Sequence, residues 1–153
     1  MRGVVIMALS LAVLGGTAGG SPAEAQAVVK DPATIGFCLC QQQRLDSDLA
    51  TLRERQQTFD SSRDALEAMN RDLATRRDKM NVYDNAEVDA YRQLLEKRDS
   101  AAAAYANDAT PRYNAAITRY NQSLGDYNGS CAGKSFDQSA YNTARATLSC
   151  PKP

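Results

Sequence analysis

The 153-residue chain balances 18 basic against 18 acidic side chains and contains neither histidine nor tryptophan. Neutrality argues against a general electrostatic nucleic-acid binder, which needs a basic face to displace counterions, and against a polybasic membrane-surface protein. Lack of histidine excludes a Ser-His-Asp triad, and three Phe with few Ile or Val past the leader predict a thin apolar seam instead of a thick core.

The chain opens as a targeting segment. Met1-Arg2 is a short positive start, and Val4 to Leu14 is an apolar run of signal-peptide length, too short to span a bilayer. Ala25-Gln26-Ala27 forms an A-x-A cleavage site. A signal peptide over 1–27 and a mature start at Val28 are expected, with cleavage after Ala25 as the alternative. No cysteine lies near the site, so lipid attachment is not indicated. The single-Arg start and Ala-rich core look bacterial, which points to the periplasm or the medium, with no integral membrane segment after cleavage. Loss of Arg2 and Glu24 with the leader keeps the charge balance, at 17 of each sign. The remaining 126 residues or so are enough for one domain.

Residues 28–40 contain Pro32 and Gly36 and read as an extended lead-in. A helical domain is expected over 41–150. Between 37 and 124 the sequence has no glycine and one proline, Pro111. Within that stretch Leu45, Leu52, Phe59, Leu66, Leu73 and Met80 recur every seventh residue, the pattern of a long helix laying one stripe on a partner. This first helix is expected to start between Cys40 and Asp46 and to end near Asn81. Pairs four apart, Glu67 with Arg71 and Asp72 with Arg76, support its solvated face. Arg76, Arg77 and Lys79 complement the dipole at its end. Its companion seam position is read as Leu49, Gln56, Arg63, Asn70 and Arg77, polar after the first turn.

Asn81 to Asn85 is a short connection. A second helix opens after a cap at Asp84 or Asn85, with Glu87 and Asp89 in its first turn. Val88, Tyr91, Leu95, Ala102, Tyr105 and Ala109 share one face. Past Pro111 the pattern resumes one residue out of phase, through Tyr113, Ile117, Tyr120, Leu124 and Tyr127. Such an offset relaxes a coiled coil locally, as a four-residue insertion does. Thr110-Pro111 also resembles a cap followed by proline at the first helical position, so a kink and a restart both remain open. Gly125, Gly129 and Gly133 are expected to mark the end of this helix. Ser135-Phe136-Asp137-Gln138 has the form of a capping box. A short third helix from about Phe136 to Ser149, apolar at Phe136, Ala140, Ala144 and Leu148, is stopped by Pro151.

Placing Met80 opposite Val88 in an antiparallel pair also sets Leu73 on Leu95, Leu66 on Ala102, Phe59 on Ala109 and Leu52 on Ala116. Leu66, Phe59 and Leu52 then face alanines, and large against small is how a narrow seam interdigitates. The same register brings Cys38 and Cys40 within a turn of Cys131. The expected fold is therefore all-α: a long antiparallel two-helix, coiled-coil-like hairpin, about 50 to 60 Å long at 1.5 Å per residue. The short third helix folds across its open end, and disulfides staple it. One large buried side chain per heptad, at roughly 1.5 to 3 kcal/mol, is thin against the entropy of ordering seven residues. Disulfides, each contributing about 2 to 4 kcal/mol, or a second protein on the half-polar face, would make up the difference.

Four cysteines in an exported chain imply two disulfides. A ring between Cys38 and Cys40 would be small and strained. Each should reach Cys131 or Cys150, and the nested set Cys40–Cys131 with Cys38–Cys150 is favoured over Cys38–Cys131 with Cys40–Cys150. Redox use of Cys38-x-Cys40 is the minor alternative. A four-thiolate metal site is weaker still, without His or C-x-x-C spacing. No phosphate-cradling glycine loop, marked acid–base carboxylate or cofactor motif is found. The chain therefore reads as a non-enzymatic structural or interaction module binding another protein or itself. A periplasmic chaperone-like or inhibitory binder is the alternative. A seven-residue repeat, Arg112-Tyr113-Asn114, Arg119-Tyr120-Asn121 and Asp126-Tyr127-Asn128, sets tyrosines on one side of the second helix. Packing in the seam is the simpler use of these side chains. The sharper one is a partner-binding strip of Tyr105, Tyr113, Tyr120 and Tyr127.

Overall fold

The computed structural model describes residues 27–151. The expected signal peptide falls, but for Ala27, outside the described residues. Those residues are helical apart from turns and one isolated β-bridge. The order is α1 (Pro32–Lys79), α2 (Asn85–Ala104), a π-helical turn (Tyr105–Ala109), α3 (Thr110–Ser130) and α4 (Gln138–Ala146). Among the described residues no helix is long and apolar enough to cross a membrane.

α1 begins well before the expected start, so most of the predicted lead-in is helical. Asp31 caps it, accepting from the N–H of Ala33 at 3.3 Å and of Thr34 at 2.9 Å and from the Thr34 hydroxyl at 2.6 Å. The Thr34 side chain, then the two backbone N–H groups, hold the Asp31 carboxyl below its ordinary value. Pro32 sits at the first helical position, where its missing N–H costs nothing. Read as a breaker, Pro32 is in fact the starter. The 48-residue helix is about 72 Å long. It ends where Met80 turns extended, after Arg76, Arg77 and Lys79. Asp84 caps α2, and Glu87 reaches back to accept the Asn81 N–H at 2.7 Å, which sets the start of α2 beside the end of α1.

Further contacts pair low numbers on α1 with progressively higher ones. Phe59 meets Tyr105 and Tyr113, Asp48 meets Ser123, and Cys38 meets Cys131. The heptad stripe faces these partners, with Leu73 buried and Leu45, Leu52, Phe59, Leu66 and Met80 half-buried. Opposite it, Ala109 and Ala116 are buried. The companion row is a correction. It lies three residues after each stripe position, at Asp48, Arg55, Ser62 and Met69, all at least half-buried. In the row four residues on, Gln56, Arg63, Asn70 and Arg77 are exposed. Both offsets lie next to a heptad stripe on a helix, and the apolar Leu49 favoured the wrong one.

Pro111 neither breaks nor restarts the second rod. The backbone stays right-handed helical at Tyr105, Ala109 and Thr110, and the Thr110 N–H bonds to Tyr105 O, five residues back. A π turn of this kind absorbs one extra residue. The phase slip seen in the sequence is thus concentrated in one widened turn, not spread over a relaxed coil. Proline, which has no N–H to offer the preceding turn, sits just past it. Nor do Gly125 and Gly129 end the helix. Both lie inside α3, which runs to Ser130. Only Gly133, at φ 72°, adopts the left-handed conformation that glycine permits.

The expected capping box at Ser135 is not formed. Val29 and Phe136 make a parallel bridge in which Ser135 O accepts the Val29 N–H at 2.8 Å and Val29 O accepts the Asp137 N–H at 2.9 Å. Phe136 is therefore held in that bridge, and Asp137 caps α4 by accepting from the Ala140 N–H. Ala140 and Ala144 of α4 bury against Ile35 of α1, with Val29, Leu39, Phe136 and Tyr141 packed around them.

Candidate functional site

The four cysteines meet at one end of α1. Cys38 bonds Cys131, with Cα atoms 5.5 Å apart, and Cys40 bonds Cys150, at 5.3 Å. This overturns the favoured pairing of Cys40 with Cys131 and Cys38 with Cys150. The reason is helical phase. With α1 starting at Pro32, Cys38 stands seven residues before Leu45 and shares the stripe that faces α3, whose last turn leads into Cys131. Cys40, two residues on, is rotated about 200° away. It points to where the chain returns after α4. A helix expected to start between Cys40 and Asp46 gives Cys38 no helical phase, and that phase decides the matter. Cys38 and Cys131 are each 3% exposed. Cys40 and Cys150 are half-buried and line a cavity of about 350 Å³ with Phe37, Gln41, Arg44 and Asp48. Gln41 Oε1 in its wall is buried without a hydrogen-bond partner among the described residues.

Two turns further along α1, a carboxylate enters the seam. Asp48 is 7% exposed and accepts a 2.5 Å hydrogen bond from the Ser123 hydroxyl, which is fully buried. Arg44 approaches the same carboxylate at 3.9 Å. A buried carboxylate needs such partners, because the desolvation cost is otherwise several kcal/mol. This pair was missed in the sequence, where Asp48 and Ser123 look like surface residues. The signal was available in their heptad positions: Asp48 is three after Leu45, and Ser123 is seven after Ala116.

All four candidate tyrosines, Tyr105, Tyr113, Tyr120 and Tyr127, are half-buried along the side facing α1. Phe59 lies between the first two, with ring centroids 5.1 Å from Tyr105 and 5.0 Å from Tyr113. The π turn makes this possible. It lets Tyr105, Ala109 and Tyr113, spaced by four and four, stand in one row, with Phe59 against the two rings and Ala109 buried between them in the sequence. At the opposite end of α1, the connection presents Val82 and Tyr83, 64% and 92% exposed. The sequence reading passed over these as part of a short connection.

Among the described residues no group of three or more His, Cys, Asp or Glu side chains is placed to hold a metal ion. All four cysteines are in disulfides. Comparison with protein-family models, with curated proteins and with solved structures finds no match.

Proposed function

We propose that this chain is an exported, non-enzymatic structural or interaction module of the bacterial cell envelope. It would be an antiparallel two-helix, coiled-coil-like hairpin with α4 folded across the open end, stapled by disulfides and binding another protein or a second copy of itself. The observation that carries the reading is the pairing of cysteines 93 and 110 residues apart, which ties the start of α1 to the far end of the chain. Such bridges persist in oxidising compartments, in accord with the leader-like start. They also hold together helices whose seam contains a carboxylate and an arginine at core positions, and so contributes little by burial alone. Thiol–disulfide oxidoreduction through Cys38-x-Cys40 has less support, since the two sulfurs bond separate partners and not each other. A chaperone-like or inhibitory binder using the tyrosine strip also has less, because Tyr105 and Tyr113 are engaged with Phe59.

The test is to express the chain with its leader and fractionate the cells. The periplasm or medium should contain protein without free thiols, mapping as Cys38–Cys131 and Cys40–Cys150. Light scattering or in-cell cross-linking should give a dimer or one stoichiometric complex. Cytoplasmic protein with four free thiols, or an exported monomer that cross-links to nothing, would overturn the proposal.

A further inference from the structure

The seven-residue repeat on α3 carries arginines as well as tyrosines. Its two arginines, Arg112 and Arg119, are two turns apart on α3, about 10 Å along the axis. They line the same groove as Arg55, which comes from α1, in a cleft of about 330 Å³. Arg55 occupies a seam position and is half-buried. Elsewhere on α1, Arg63, Arg71 and Arg76 each have an acid a turn away, Asp60, Glu67 and Asp72, whereas Arg77 has only its neighbour Asp78 and Arg53 has no ion pair among the described residues. In the groove the matching is incomplete. Arg112 pairs with Asp108 at 2.6 Å, Arg55 has only its neighbour Glu54 at 3.6 Å, and Arg119 has no ion pair among the described residues. The one carboxylate lining the cleft, Asp48, is already taken up by the Ser123 hydroxyl.

We infer that this cleft between α1 and α3 binds a phosphate- or sulfate-type oxyanion, free or as the headgroup of a larger molecule. Three arginines from two helices line the one cleft, and Arg119 among them has no ion pair among the described residues. Their planar forks match the oxygen spacing of a tetrahedral oxyanion. The cleft has room for such a group, and the Asp48 carboxylate that also lines it disfavours further negative charge. The site is independent of the protein–protein role proposed above.

The test uses the disulfide-bonded protein. Inorganic phosphate and sulfate are titrated at constant ionic strength against chloride, read by side-chain Nε–Hε NMR signals of arginine and by melting temperature. Saturable shifts are expected at Arg55, Arg112 and Arg119. Arg119→Gln, an exposed substitution that leaves the fold intact, should weaken the interaction at least tenfold, and Arg55→Gln should weaken it further. Sedimentation with vesicles of phosphatidylglycerol in phosphatidylcholine assigns the source. Binding that Arg119→Gln abolishes marks a lipid headgroup, and phosphate binding without vesicle binding marks a free anion. Equal shifts in chloride, no binding in either arm, or undiminished binding by Arg119→Gln would sink the inference.

Discussion

Ser123 is fully buried and its hydroxyl is the closest donor to the Asp48 carboxylate. Ser123→Ala therefore leaves a buried charge short of a donor and should cost about 1 to 3 kcal/mol. Adding Asp48→Ala to it should recover part of that loss, because removing both partners leaves nothing unsatisfied. Urea unfolding of the wild type, the two single variants and the double variant measures this. A fully additive cycle would show that the bond carries no coupling. Gly125 and Gly129 make the opposite case. Both are helical, and a Cβ built at either meets no atom within 4 Å. Gly125→Ala and Gly129→Ala should each stabilise by about 0.5 to 1 kcal/mol, since alanine loses less backbone entropy in a helix. Thermal melts that fall instead would mean that α3 is not continuous at these positions. At this scale the sequence was readable in its large residues and not in its small polar ones. A large apolar residue at every seventh position declares a buried stripe, whereas an aspartate and a serine are buried only because each finds the other 75 positions away.

Between α2 and α3 the π turn and the Phe59 cluster form one unit. The widened turn sets Tyr105 and Tyr113 on either side of one ring. A double-mutant cycle with Phe59→Leu and Tyr105→Leu should show a coupling of about 0.5 to 1.5 kcal/mol, the usual range for aromatic pairs. Phe59→Leu with Tyr113→Leu should show the same. Coupling near zero in both cycles would remove the cluster as the reason the turn is kept. The slip in hydrophobic phase at Pro111 was visible in the sequence, yet its resolution was not. A one-residue offset can be met by a kink, by a new helix start, by unwinding over several turns or by one widened turn. These differ in tertiary packing more than in local preference. The start of α1 is the reverse case. Asp31-Pro32 is a cap followed by proline at the first helical position, a purely local signal, and it lost to the breaker reading of Pro32 and Gly36.

For the molecule as a whole, the two disulfides differ in exposure. Cys38–Cys131 lies in the seam at 3% exposure on both sides, whereas Cys40–Cys150 borders a cavity close to the end of the chain. Stepwise reduction by dithiothreitol, trapped by alkylation and mapped by mass spectrometry, should open Cys40–Cys150 first, because an attacking thiolate must reach a sulfur. Reduction in the other order, or of both together, would contradict the difference in access. Replacing either pair by serine should cost about 2 to 4 kcal/mol.

The residues by themselves determined a long helix through the stripe from Leu45 to Met80, a second helical run with a fault near Pro111, and a short third helix, placed from about Phe136. All of these follow from periodicity, capping chemistry and the scarcity of breakers, which act within a few turns of the chain. Tertiary structure alone decided which row of α1 joins the stripe, which cysteine meets which, and that an aspartate, a serine and three arginines come to share one face of the α1–α3 contact. Each of those outcomes depends on the rotation of one helix about its axis relative to another. That angle is set by the summed packing of both, which no local stretch encodes.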